Sequence, residues 1–203
     1  MLNSIKMRFY RCWNRLFFRL KGVVFDEGLT VYNKVYLTGY CRRNGEGKIL
    51  IGRKLHLTSG DGINPICRSQ LACLHLSSPK AEIIIGDDVG MSSPCIWAAE
   101  RITIGNRVNI GGNCMILDTD THQLDYLARR GERAADKDDI TTTIQTAPVT
   151  IEDDVWIGAN CQILKGVTIG ARTVIGAGSV VTRSIPADCI AAGNPCKVIR
   201  NAK

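Results

Sequence analysis

The sequence has few aromatic residues, and this scarcity limits the kind of core that it can build. Phe, Trp and Tyr make up 6% of the 203 residues, so the interior must consist largely of aliphatic side chains. Valine, isoleucine and glycine recur along the chain, which favours many short strands joined by tight corners. The length suffices for one domain with a sizeable core, and no stretch suggests a second unit.

Close cysteine spacing is also missing, because none of the nine cysteines forms a C-x-x-C pair. Zinc sites and redox motifs usually show such spacing, so we expect no bound metal. No secretory signal is recognised, and a reducing, cytoplasmic compartment is the expectation. Most of the cysteines are then expected to be small, buried hydrophobic residues.

Acidic residues are absent from the start of the chain, where the first is Asp26. Six of the seven net positive charges lie before it: Lys6, Arg8, Arg11, Arg15, Arg19 and Lys21. The rest of the chain is close to neutral, which argues against a general nucleic-acid-binding surface. The cationic segment itself is too short and too charged to span a bilayer.

A six-residue repeat is the strongest pattern in the sequence. From residue 151 six consecutive units open, without a slip, on Ile151, Ile157, Ile163, Ile169, Ile175 and Val181. The fifth places hold Val155, Cys161, Val167, Thr173, Ser179 and Ile185. Because six is even, the first and fifth residues of an extended unit point to the same side. Stacked coils with these residues inside predict a parallel β-solenoid.

Weaker copies of the repeat precede this run. Units open on Ile104, Ile110 and Ile116, and others on Ile85, Met91 and Trp97; fragments begin at Val31, Leu37, Ile51 and Leu57. We therefore predict a solenoid from about residue 29 to about 186. The corresponding division is a basic helical segment at 1–28 and a β-helix domain at 29–203.

One interruption of the repeat stands out. The units at 104, 110 and 116 lead to residue 122 as the next inward position, and this residue is a histidine. The charged, non-repetitive segment 123–148 follows it. Long loops inside compact domains are often functional, so we predict a loop that protrudes from the solenoid beside His122.

The N-terminal segment has the spacing of an amphipathic helix. Its apolar residues recur at helical intervals, with cations mostly between them: Ile5, Phe9, Trp13, Leu16, Phe17 and Leu20. Two roles stay open for residues 1–21. The helix either makes a peripheral contact with an anionic membrane or caps the open end of the solenoid.

Three features together resemble the hexapeptide-repeat acyltransferases: the six-residue units, the tail IPADCIAAGNPCKVIR at 185–200, and DTDTH at 118–122 before the loop. The sugar O-acetyltransferases, such as galactoside and maltose acetyltransferase, are the most similar branch. The resemblance implies a left-handed parallel β-helix, a homotrimer, and acetyl-CoA as acyl donor. It also implies a hydroxyl of a sugar or glycoconjugate as acceptor.

The resemblance assigns His122 the role of general base, since a positioned imidazole can take the proton of an attacking hydroxyl. Asp118 and Asp120 precede it at even spacing, and in an extended chain either could orient the ring. Aspartate is also common in turns. Ser92 falls where the galactoside enzymes carry an asparagine that contacts the acceptor, and this departure weakens the case for a simple galactoside.

The family's CoA groove carries over to seven positions: Trp156, Ala159, Ala177, Thr182, Arg183, Lys197 and Arg200. Small residues would let the pantetheine arm approach the coils, and the cations could face phosphates. Ordinary solvated cations are the competing interpretation. His56 and His75 lack the H-x-x-x-x-H spacing of metal-dependent β-helices. N-acylation of an amino sugar or antibiotic, and a catalytically silent binding scaffold, stay open as alternatives.

Overall fold

The computed structural model describes residues 2–41, 47–60, 63–67 and 70–202, with side chains from residue 8 onward. Over these residues the chain winds into a three-sided prism. Each coil gives one short strand to each of three sheets, which we call faces A, B and C. A helix, α1 (Leu2–Leu20), precedes the coils, and a one-turn 3₁₀ helix (Pro65–Cys67) interrupts one of them.

In the described part of the chain, twenty strands, numbered in order, make up the three faces. Face A contains β1 (Val24–Phe25), β4 (Lys48–Ile51), β7 (Glu82–Ile85), β10 (Arg101–Ile104), β13 (Val149–Ile151) and β16 (Thr168–Ile169). Face B contains β2 (Thr30–Tyr32), β5 (His56–Thr58), β8 (Gly90–Ser92), β11 (Asn109–Ile110), β14 (Trp156–Ile157), β17 (Val174–Ile175), β19 (Cys189–Gly193) and β20 (Cys196–Asn201). Face C contains β3 (Tyr36–Gly39), β6 (Cys73–Leu76), β9 (Cys95–Ala98), β12 (Met115–Leu117), β15 (Gln162–Ile163) and β18 (Val180–Val181). Neighbouring strands are parallel except β19 and β20, which form an antiparallel hairpin.

The residues that open the repeats form the interior, as the repeat predicts. Ile116 pairs in register with Ile163, and Ile163 with Val181, so one aliphatic ladder runs up face C. Equivalent ladders run up the other faces, for example Ile110 to Ile157. All these side chains are at most 3% exposed. Every six-residue unit therefore contributes one rung to a continuous core.

Two expectations about the repeat boundaries are wrong. Trp97 was expected to open a unit, but the inward residue is Ile96, which pairs with Ile116, and the Trp97 side chain faces outward. The unit that begins at Met91 is one residue short because the chain turns at Ser93, with φ 44°. The solenoid also extends beyond 29–186, since β1 and β19 both stack in parallel on neighbouring strands.

Residue 122 does not occupy an inward position. After Ile116 the next buried residue is Asp118, at 0% exposure, and His122 is exposed. The chain leaves the prism here as the predicted loop and returns at β13. The loop contains a short helix, α2 (Tyr126–Arg130), with the Asp125 side chain as N-cap and Gly131 at its C-terminus in the left-handed conformation.

The corner between faces A and B carries an ion-pair ladder. Residues at equivalent corner positions adopt positive φ and alternate in charge: Lys54, Asp88, Arg107, Asp154, Arg172 and Asp188. Arg107 Nε lies 2.6 Å from Asp154 Oδ1, and Arg172 Nη2 lies 2.6 Å from Asp188 Oδ2. These contacts lower the pKa of Asp154 and raise that of Arg107. Exposed pairs contribute little individually, and each of these pairs joins one coil to the next.

Helix α1 closes the N-terminal end of the prism. Phe18 is fully buried, and the Asn14 amide donates to the carbonyls of Val31 at 3.2 Å and Asn33 at 2.8 Å. The helix ends where Gly22, at φ 78°, donates back to the Arg19 carbonyl. The capping role proposed from the sequence is therefore seen directly. Within the described residues neither helix is long and apolar enough to cross a bilayer.

Replacing an interior rung should destabilise the fold strongly. We expect Ile163→Ala, at a fully buried site on face C, to lower the free energy of unfolding by about 2–5 kcal/mol. Gln162→Ala, on the exposed side of the same strand, should change it by less than about 0.5 kcal/mol. Urea denaturation measures both. Equal losses for the two variants would contradict the assignment of inward and outward positions.

Candidate functional site

The predicted site residues lie on two different edges of the prism. We call the corner between faces C and A the histidine edge and the corner between faces B and C, together with the adjoining part of face B, the alanine edge. The histidine edge holds Asp118, Asp120, His122, Thr182 and Arg183. The alanine edge holds the remaining predicted residues: Ser92, Trp156, Ala159, Ala177, Lys197 and Arg200.

Backbone hydrogen bonds join the two ends of the loop that follows His122. Thr119 and Thr146 form an antiparallel bridge, and the flanking backbone bonds run from Asp120 N to Gln145 O at 3.0 Å and from Ala147 N to the Asp118 carbonyl at 2.9 Å. The departing and returning segments of the loop therefore pair like a short hairpin. His122 follows this base directly, and no described residue hydrogen-bonds to its ring.

The Asp118 carboxylate is hydrogen-bonded to the coil beneath it. Its Oδ1 accepts from the Ala99 amide at 2.6 Å and its Oδ2 from the Glu100 amide at 2.8 Å. Burial raises the pKa of this carboxyl, and the amide hydrogen bonds oppose that shift. Both oxygens thus accept hydrogen bonds from backbone N–H groups of the corner one coil below, and the carboxylate stabilises that turn.

Asp120 lies in a different environment. Its Oδ1 is 2.8 Å from Lys165 Nζ on the next coil, while its Oδ2 is buried without a hydrogen-bond partner among the described residues. Nothing in the sequence singled out Lys165, because this lysine occupies an ordinary corner position of the repeat. The ion pair of Lys165 joins the loop base to the coil above, and the neighbouring Gly166 N–H donates to the Ala147 carbonyl.

The chain between Asp120 and His122 is not extended. Thr121 has φ 63°, a left-handed conformation that β-branched residues rarely adopt. The assumption that even spacing keeps Asp120 and His122 on one side therefore fails at this step. Whether either carboxylate orients the imidazole stays a prediction. Strained backbone of this kind is often found at functional sites.

A cleft of about 230 Å³ opens beside Thr121 on the histidine edge. Hydroxyl and aromatic groups line it: Ser77, Ser78, Trp97, Thr119, Thr121 and Thr146, with Ala99 and Ile144. The indole N–H of Trp97 is buried and has no acceptor among the described residues. An aromatic ring flanked by hydroxyl groups is chemically suited to a polyhydroxylated ligand.

The Trp97 ring packs against another aromatic ring. His75 packs against it at 4.6 Å between ring centroids, edge to face, and His75 Nδ1 is 2.8 Å from Thr38 Oγ1. Burial lowers the pKa of His75. His75 is thus a neighbour of the cleft wall, and His56 contacts Tyr32 on face B. Sequence reasoning missed this cleft because it placed Trp97 inside the core.

The alanine edge is narrow because its corner residues are small. A Cβ placed on Gly158 would lie 2.5 Å from the backbone N of Ala177, so successive coils touch here with no room for side chains. Ala159 and Ala177 follow each other on this edge, joined by Gly178 N to Ala159 O at 2.8 Å. The result is a smooth strip along which extended backbone and small side chains are exposed.

Trp156 and the C-terminal hairpin border this strip. Trp156 is 57% exposed on face B and pairs with Val174; Ile190 lies above Val174, and Arg200 pairs with Ile190. Lys197 pairs with Ala192 on the same hairpin. Ser92 lies lower on the edge, where its Oγ accepts from Thr58 Oγ1 at 3.0 Å. An aromatic ring, a strip of small residues and two cations therefore share one surface.

Thr182 and Arg183 lie apart from that surface. Their corner stacks on the one that carries Lys165, with Leu164 N donating to Val181 O at 3.1 Å, so both belong to the histidine edge. Face C separates the two edges within one chain. Among the residues that the structure describes, no three His, Cys, Asp or Glu side chains are grouped as metal ligands.

Comparison with known proteins agrees with this architecture. Residues 148–183 match the family model "Bacterial transferase hexapeptide (six repeats)". The galactoside O-acetyltransferase of Escherichia coli K12 is 41% identical over 99 residues, which are 49% of this chain and 42% of that protein. A putative acetyltransferase of Schizosaccharomyces pombe is 45% identical over 49% of this chain and 42% of its own length. The matched part is thus less than half the length of these relatives.

Solved structures extend the likeness to most of the chain. A hexapeptide-repeat acetyltransferase of Vibrio cholerae, complexed with acetyl coenzyme A, is 27% identical with a TM-score of 0.51, covering 94% of this chain and 76% of that one. An N-acyltransferase of Bacillus cereus with bound dTDP and 3-hydroxybutyryl-CoA has a TM-score of 0.64, 17% identity and coverages of 94% and 88%, and so shows the fold alone. The predicted left-handed parallel β-helix with its loop and N-terminal helix is confirmed, and so is the chain's resemblance to the hexapeptide-repeat acyltransferases.

Proposed function

We propose that this protein transfers an acetyl group from acetyl-CoA to a hydroxyl of a sugar or glycoconjugate, with His122 as general base. The observation that carries the proposal is an exposed histidine on a loop base tied to the prism, directly after Thr121, which lines a cleft together with other hydroxyl groups and an indole. The names of the relatives support it, since they include a galactoside O-acetyltransferase and an acetyl-CoA complex.

The chemistry follows from the position of the imidazole. A sugar hydroxyl is a weak nucleophile while protonated, so the ring takes its proton as the oxygen attacks the thioester carbonyl carbon. The new C–O bond forms, the C–S bond breaks, and the proton returns to the thiolate that leaves. Acetyl ester and free CoA are the products, and no covalent enzyme intermediate is required.

The alanine edge has the features that a CoA thioester needs. Ala159 and Ala177 leave space along the coils for a long flexible arm, and Trp156 offers an exposed aromatic surface. Lys197 and Arg200, like Arg183 on the other edge, form no ion pair among the described residues and could contact phosphates. The amide groups of the pantetheine arm can form hydrogen bonds with the exposed backbone of the corners.

A homotrimer would bring the two edges together. Within one chain His122 and Arg183 lie on one side of face C, whereas Trp156, Ala159 and Ala177 lie on the other. If the histidine edge of one chain faced the alanine edge of the next, each interface would hold one complete site. Closed rings of three arise from such head-to-tail contacts.

Transfer to nitrogen is the second candidate reaction. A Staphylococcus aureus N-acetyltransferase is 54% identical to this chain over 56 residues, about a quarter of each protein, so the repeat alone does not separate the two acceptors. The hydroxyl reaction requires a base, which His122 supplies. A free amine acceptor, already a nucleophile when deprotonated, would depend on His122 much less.

Removal of the imidazole is the direct test of the general-base role. We expect His122→Ala to lower kcat by roughly 10²–10⁴-fold on an acceptor found by screening sugars with acetyl-CoA and following thiol release. The affinity for CoA, measured by calorimetry, should stay unchanged because other coils form that groove. Near-normal turnover by this variant would refute the mechanism.

The two aspartates should separate stability from activity. We expect Asp118→Asn to lower the free energy of unfolding by about 1–3 kcal/mol, because its amide group would face a backbone donor at Ala99 or Glu100. Asp120→Asn should cost less than about 1 kcal/mol, since it loses only a partly exposed ion pair. If Asp120 positions His122, its variant lowers kcat while the melting temperature stays near that of the wild type. The reverse pattern would assign the turn role to Asp120.

Mixing two inactive variants tests the shared site. His122→Ala damages the histidine edge, and the double variant Lys197→Ala with Arg200→Ala damages the alanine edge. After co-refolding of equal amounts, random assembly of three-fold rings leaves about a quarter of the sites with two intact edges. Thiol release should recover to a comparable fraction of the wild-type rate. Recovery no greater than the sum of the separate variants would contradict a site between subunits.

A further inference from the structure

Helix α1 presents two stripes on its outward surface. The apolar stripe consists of Phe9, Trp13, Leu16 and Leu20, which are 60%, 49%, 52% and 54% exposed. The cationic stripe consists of Arg8, Arg11, Arg15 and Arg19, all exposed. Each set repeats at intervals of three and four residues, so each stripe runs along the helix axis and the two lie side by side.

The opposite side of the helix is already occupied. Asn14 and Phe18 are buried against the first coils, and the Arg15 guanidinium reaches back to the Leu29 carbonyl at 3.1 Å. Phe17 packs against the core from the flank. The prism therefore holds α1 in one orientation, and capping the solenoid does not account for the apolar stripe.

The charge on this surface is balanced only in part, because Asp26 and Glu27 line a cavity together with Arg15 and Arg19. None of the four arginines of the cationic stripe forms an ion pair among the described residues, and no acidic residue precedes Asp26. Phe9 and Trp13 stack with ring centroids 6.2 Å apart and planes 8° apart, forming a flat aromatic surface next to the cations. A helix with exposed aromatic and aliphatic residues beside a row of arginines matches the chemistry of an interface between lipid headgroups and acyl chains.

We propose that the outward surface of α1 binds an anionic lipid bilayer, with the apolar stripe in the interface and the cationic stripe on the headgroup phosphates. Complementary charge argues for lipid over a second copy of this chain, whose own α1 would repel it. The N-terminal end of the prism would then rest on the membrane, and both edges, which run along its sides, would stay clear of the bilayer. The proposal is independent of the transfer reaction, because binding to lipid needs no acetyl-CoA.

Flotation of the full chain with vesicles tests it. Vesicles of phosphatidylcholine with about 30% phosphatidylserine should bind the protein at about 0.15 M salt, and binding should weaken near 1 M salt. Arg8→Gln with Arg11→Gln should weaken the partition by roughly 30-fold, because each cation near the surface contributes substantially. Phe9→Gln with Leu16→Gln should weaken it at both salt concentrations.

Matched variants elsewhere provide the control. Lys80→Gln with Lys137→Gln removes the same charge from exposed sites on the body, and Ile140→Gln with Ile199→Gln removes comparable exposed apolar surface. Both pairs should bind vesicles like the wild type, and circular dichroism melting should confirm that all variants fold. Failure to bind anionic vesicles overturns the proposal, as does equal loss in the control pairs. A change in sedimentation mass with the α1 variants, without lipid binding, would assign the surface to a second copy.

Discussion

The in-register stacking of six-residue units is the constraint on which the rest of the molecule depends. Each strand donates its backbone hydrogen bonds to the coils above and below, and each inward isoleucine or valine rests on an equivalent side chain, as in the ladder Ile116, Ile163 and Val181. Neither interaction suffices alone, because strands of two or three residues have too few hydrogen bonds to persist by themselves. Repetition makes them cooperative, and a coil keeps its place because both neighbours fit it.

This constraint leaves the corners free to differ. The corner between faces A and B alternates cations and anions and pairs them along the prism, so its charged side chains contact one another. At the alanine edge the corner residues are so small that consecutive coils touch, as the close approach at Gly158 shows. The histidine edge is interrupted by a loop. One repeated scaffold thus carries three edges with separate physical characters, and the predicted site residues lie on two of them.

The ends of the solenoid have their own requirement, since an open coil exposes unpaired backbone groups. At the N-terminal end Asn14 donates to two carbonyls of the first coil, and Phe18 covers its core. At the other end the antiparallel strand β20 pairs with β19 and ends the parallel stacking. The N-terminal solution has a consequence, because a helix fixed by one side must present its other side to the surroundings. In this chain that other side is apolar and cationic.

The sequence alone determined the solenoid, its strongest segment, the helix at the start and the protruding loop, because each rests on local spacing that tertiary contacts only reinforce. It misplaced Trp97 by one residue, since a shortened corner at Ser93 leaves no trace in composition. That slip hid the cleft, which exists only because an outward Trp97 meets hydroxyl groups from the coils on either side of its own and from the loop. Spacing also suggested two equivalent aspartates, yet backbone amides engage one and Lys165 the other. Tertiary structure decided these roles, and the division of site residues between two edges, because contacts between coils join residues that lie far apart along the chain.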